Sequence, residues 1–124
     1  MESKSDGNQS QQLRQPQKAI KPLKPKFAVI FKAEIKHLDT EYENLVKDLR
    51  QLAFEKYDCL DFVAYTQGND EVAISYWQSL EDIQAWKADT SHLYAQKSGQ
   101  QRWYRHYQVE VVEILRTYSM GTEN

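Results

Sequence analysis

The chain has 124 residues and a formal net charge of -2, a length that allows one domain. Its single cysteine, Cys59, excludes an internal disulfide framework and any multi-cysteine zinc or iron–sulfur site. No apolar run approaches the roughly 18 residues of a membrane span, and the N-terminus lacks a signal-peptide core, so a cytoplasmic domain with no membrane partner is expected.

Charge and aromatic content divide the chain at residue 26. Residues 1–26 hold six bases against two acids and are rich in Gln, Ser and Lys, with Leu13, Ile20 and Leu23 isolated among them. Such a segment cannot bury enough surface to offset its chain entropy and is predicted to be a disordered basic tail, either a tether or a solubilising extension. The other 98 residues hold ten bases, sixteen acids and all fifteen aromatics. An acidic domain is a poor polyanion binder, so nucleic acid is not an expected partner.

F-A-V-I-F-K-A-E-I (27–35) reads as a strand with Phe27, Val29, Phe31, Ala33 and Ile35 on one face. Ala28 and Ile30 make the start of its other face apolar too, which calls for cover on both sides. T-E-Y-E (40–43) has the form of a capping box, with Thr40 as N-cap and Glu43 at N3. Tyr42, Leu45, Val46, Leu49, Leu52 and Ala53 then recur at helical spacing and predict a helix over 40–56. Segments 60–67 and 71–77 read as strands of a hairpin turning at Gly68-Asn69-Asp70. Ser79 is an N-cap for a short helix to about residue 88, and a second helix is expected from His92 to Arg102. In it His92, Ala95, Gln96, Gly99 and Trp103 share one face. Tyr104 to Leu115 alternates as a long last strand, and residues 119–124 read as a flexible C-terminus.

The order β-α-β-β-α-β predicts an α+β, ferredoxin-like fold: one four-stranded antiparallel sheet with helices on one face. Ile30, Val63, Tyr65 and Trp77 are expected on the uncovered face. A second copy packed sheet to sheet would cover them, which predicts a homodimer.

A-V-I-F (28–31), S-Y-W-Q-S-L-E-D-I-Q-A-W-K (75–87), His92, A-Q-K-S-G (95–99), Trp103-Tyr104 and Tyr107 together resemble the antibiotic biosynthesis monooxygenase domain family over residues 27–118. The resemblance implies the dimeric α+β barrel fold and a small-molecule ligand. Some members of the family oxidise polycyclic aromatics with molecular oxygen and no cofactor, others degrade heme, and others have no known activity. Heme-degrading members share two tryptophans nine residues apart, as Trp77 and Trp86 are here, and place the heme histidine ten residues after the second. That position is Gln96 in this chain, a poor iron ligand, and the first strand carries no Asn. The glycine usual before the second strand is replaced by Asp58-Cys59.

His92 is accordingly the candidate catalytic residue, as a base or an orienting group. A capping or packing role for it stays open. Trp77, Trp86, Gln96, Gly99, Trp103 and Tyr104 are the candidate substrate-binding residues, though large rings also fill cores. Gly99 inside a helix suggests close approach of a strand or ligand. Cys59 has no base beside it, His37 and His106 are scattered, and no metal ligand set or cofactor is expected. A ligand site needs a cavity of roughly 300 Å³ or more beside His92. A filled core at His92, Gln96 and Trp103 points instead to a non-enzymatic dimeric module.

Overall fold

The computed structural model describes residues 24–121; the tail reading for residues 1–23 and the terminal reading for 122–124 lie outside the described residues. Four strands, β1 (Phe27–Ile35), β2 (Asp61–Gln67), β3 (Asp70–Trp77) and β4 (Tyr104–Glu113), form one antiparallel sheet in the order β2-β3-β1-β4. Helices α1 (Thr40–Lys56), α2 (Leu80–Lys87) and α3 (Thr90–Ser98), with a π-helical turn at Gly99–Trp103, complete the ferredoxin-like pattern. Lys26 is tied to the sheet, donating to the Trp77 carbonyl at 2.8 Å and accepting from the Ile114 amide at 2.9 Å.

Local chemistry sets the element ends. The N-cap of α1 is Asp39 rather than Thr40: the Asp39 carboxylate accepts from the Tyr42 amide at 2.8 Å, and Thr40 is the first helical residue. A charged acceptor at the positive end of the helix out-competes a hydroxyl one residue later. After α1, Asp58 adopts a left-handed φ of 62°, and the Cys59 amide closes back onto the Ala53 carbonyl at 3.0 Å. Asp is among the few residues that tolerate this region, so it can stand where the resembling family carries glycine. The hairpin turns on Gly68 and Asn69 alone, with Gly68 at φ 61° and Asp70 already in β3. Ser79 caps α2 as expected, accepting from the Asp82 amide at 3.1 Å.

Trp77 corrects the expected orientation. β1 and β3 pair with Phe27 opposite Trp77 and Val29 opposite Ser75, so Trp77 shares the face of Val29, which the helices cover. The uncovered face carries Ala28, Ile30, Val63, Tyr65 and Ile74. Both faces of these strands are apolar in sequence, and only the pairing register separates them. Under the helices Val29, Ala53, Cys59, Trp77, Ile83 and Trp86 form the core, with Trp77 fully buried. Burying a tryptophan removes roughly 200 Å² from water, on the order of 5 kcal/mol before entropy. Cys59 belongs to this core; burial pushes its thiol up to about 12, which makes it an inert packing group.

The predicted helix over 92–102 also departs from expectation. Asp89 caps α3, accepting from the Ser91 amide at 2.9 Å, so the helix begins at Thr90. From Gly99 it widens into the π turn that carries Trp103 inward. A bulge at Arg105 in β4, opposite Glu34 and Ile35, precedes the point where the Lys36 amide bonds the Trp103 carbonyl at 2.8 Å, which anchors that turn to the sheet.

Candidate functional site

Sheet and helices do not close completely at the end away from Trp77. A cavity of about 150 Å³ lies between them, walled largely by apolar side chains. Val29, Phe31, Ala73 and Val109 come from the sheet, Val46, Leu49 and Arg50 from α1, and Trp86, Lys87, His92, Ala95 and Gln96 from α2 and α3. Gly99 and Trp103 from the π turn, and Tyr104 and Tyr107 from β4, complete one side. The volume is about half the expected value. The bulk of Trp103 and Tyr104 accounts for this: a Cβ on Gly99 would stand 2.9 Å from the Tyr104 ring, so the turn and ring already touch.

Aromatic rings lead from the core to the cavity. Trp77 packs on Trp86 with centroids 5.2 Å apart, and the His92 imidazole stands edge-on to Trp86 at 4.5 Å. The Trp86 indole donates to the Leu49 carbonyl at 3.3 Å, which fixes its tilt between α1 and α2. His92 Nδ1 is buried without a hydrogen-bond partner. Burial, and then the nearby Lys87 charge, lower its pKa, against an upward pull first from its own backbone and then from Asp89. The imidazole is therefore neutral at pH 7 and keeps a free ring nitrogen in the cavity wall.

A polar group occupies the other end. Glu71, 8% exposed, accepts from the Tyr42 hydroxyl at 2.6 Å. Tyr42 also meets the rings of Trp103 and Tyr104 edge-to-face, at 5.1 and 6.1 Å. Burial pushes the Tyr104 hydroxyl up to about 12, with the Tyr42 hydroxyl acting in the opposite direction. The buried Trp103 indole N–H makes at most a long, poorly aligned hydrogen bond, to Asp39. It lies near Asp39, whose carboxyl is held down first by the Tyr42 amide and then by Trp103 and Arg102. On the outside, Arg102 bridges to Glu41 at 2.8 Å, and Tyr94 donates to the same carboxylate at 2.8 Å, docking α3 and the turn onto α1. Among the described residues no group of three or more His, Cys, Asp or Glu gathers as a metal site.

Known proteins share this architecture. A mutant of SnoaB, a cofactor-independent oxygenase from Streptomyces nogalater, superposes with a TM-score of 0.64 over 76% of this chain and 97% of its own, at 10% identity. The chain has the fold of the antibiotic biosynthesis monooxygenases. A protein from Caulobacter crescentus provisionally described as an antibiotic biosynthesis monooxygenase superposes at 0.62, covering 74% of this chain and 92% of its own, at 11% identity. In sequence, the uncharacterized protein YqjZ of Bacillus subtilis is 29% identical over 96 residues, 77% of this chain and 84% of that protein. No protein-family model matches the chain.

Within this monooxygenase fold the sequence-predicted residues divide. His92, Trp86, Gln96, Gly99, Trp103 and Tyr104 all line the one cavity. Trp77 does not; it lies behind Trp86, its indole bonded to Ser75 Oγ at 2.8 Å. Three residues went unnoticed: Tyr42 as a polar anchor, Glu71 and Arg50. Their signals were faint. Glu71 is in phase with Ala73, Ser75 and Trp77 on β3, and Arg50 stands four residues after Val46 on the edge of the α1 stripe.

Proposed function

We propose that this chain is a dimeric small-molecule-binding domain that oxygenates a small, electron-rich phenol without a cofactor. The observation that carries this reading is His92: a neutral imidazole with an unbonded nitrogen in the wall of an apolar cavity. Such a group can take the proton of a phenol held against the apolar wall. Oxygen then adds at the electron-rich ring carbon. One of its atoms stays as the quinone carbonyl, and the other leaves as water with the two hydrogens lost by the phenol. Trp86, Gln96, Trp103 and Tyr104 shape the pocket, Gly99 admits Tyr104, and Trp77 supports Trp86 from behind. The cavity volume and Gln96 both disfavour a porphyrin. The exposed face with Ile30, Val63, Ile74 and Tyr65, the last 68% exposed, supports a second copy packed sheet to sheet. A lone reduced cysteine in the core suits the cytoplasm.

Oxygen uptake with a panel of monocyclic phenols and hydroquinones tests the reading. His92→Ala is expected to lose on the order of 10²-fold or more of the rate; equal rates would remove His92 from the chemistry. Light scattering should give a dimer at micromolar concentration, and a monomer would remove the sheet-to-sheet assembly. A non-enzymatic module is the second reading, favoured by a cavity of about 150 Å³ where roughly 300 Å³ or more is usual for a ligand site. No uptake and no binding across the panel would select it.

A further inference from the structure

The cavity is apolar but not neutral. Arg50 lies in its wall with the guanidinium 4.9 Å above the Phe62 ring, and its Nε is buried without a hydrogen-bond partner. Burial disfavours the Arg50 charge, with Cys59 and Asp61 opposing that effect; arginine nevertheless stays protonated. Lys87 lines the same cavity and acts on His92 as a positive charge. Among the described residues, ion pairs engage Lys32, Arg102, Arg105 and His106, and neither Arg50 nor Lys87 is among them. Asp61 offsets part of the Arg50 charge, but an N–H such as Nε buried without an acceptor is costly unless something completes it.

The acid of the cavity stands elsewhere. Phe62, beneath Arg50, is paired in register with Ser75. Glu71 is four residues further along β3, about 13 Å away by strand rise, and is engaged by Tyr42. One end is thus cationic and the other acidic. An apolar cavity of about 150 Å³ is of the size that accepts benzene.

We propose that the ligand is a single-ring aromatic carrying an anionic oxygen group, a carboxylate in the first instance, with the anion set against Arg50 and Lys87. The ring lies against Phe62 and Trp86, and the anion is kept from Glu71 by distance and charge. This rests on reading the cavity as a ligand site, and it names the substrate class of that site.

Titration of the full chain at pH 7 with 4-methylbenzoate and its neutral isostere 4-methylbenzamide, by calorimetry and tryptophan fluorescence, tests it. The acid should bind roughly tenfold or more tighter than the amide. The preference should fall toward unity in Arg50→Gln and survive in part in Arg50→Lys, which keeps the charge. Equal binding of acid and amide to the wild type would overturn the anionic class while leaving the cavity as a ligand site. Binding of neither at millimolar concentration would overturn the cavity reading and this inference with it. A preference undiminished in Arg50→Gln would overturn the assignment to Arg50.

Discussion

The two ends of the space between sheet and helices are built from the same kinds of residue and do opposite things. At one end Trp77, Ala53 and Ile83 interlock with Cys59 and leave no room, and the single polar atom of Trp77 is bonded to Ser75. At the other, Trp103 is just as buried, yet its indole N–H makes only a poorly aligned approach to Asp39, and in the same cavity wall His92 Nδ1 and Arg50 Nε lack partners. Aromatic content does not separate a core from a pocket; the satisfaction of the polar atoms does. Natural interiors pair their buried donors, so the unpaired atoms beside one cavity are the contrast on which the proposed ligand site rests.

That contrast can be broken experimentally. Trp77→Ala should cost about 3–5 kcal/mol in denaturant unfolding, because nothing at the closed end can collapse into the gap. Val46→Ala, at the edge of an existing cavity, should cost about 1 kcal/mol. Comparable losses from the two would mean the ends are packed alike.

Tyr42→Phe leaves the buried Glu71 carboxylate without its phenol donor. It should cost about 2 kcal/mol, with rescue by Glu71→Gln in the same background. A loss below a few tenths would show that water already serves Glu71.

The smallest effect sharpens the His92 environment. Its folded pKa is lowered, so the unfolded chain binds the proton more readily. This contribution to stability is complete above the unfolded value of about 6.5. It declines as the pH falls through that value toward the lower folded one. His92→Gln should therefore flatten the fall in melting temperature between neutral and mildly acid pH. An unchanged slope would place His92 in solvent.

Particular residues show how much was legible. Helix α1 followed from its apolar stripe, and the β hairpin from Gly68-Asn69, because both are local: a periodicity of 3.6 or 2 and a turn residue with φ above zero. The face formed by His92, Gln96, Gly99 and Trp103 was legible for the same reason, although the helix carrying it widens at Gly99. Asp39 was missed as the cap because two acceptors stand side by side and only the backbone decides between them. Trp77 was assigned to the wrong face because both faces of its strand are apolar, and pairing with β1 settles which is covered.

By itself the sequence determined the order of elements, the fold that this order permits, and the single helical face on which the candidate site rests. These follow from short-range periodicity. The tertiary structure decided that Arg50 and Glu71 line the cavity, that Trp77 does not, and that the space left beside His92 is about 150 Å³. Each of these depends on how side chains from separate elements fill a shared volume, and close packing is a property of the assembled layers that no local pattern encodes.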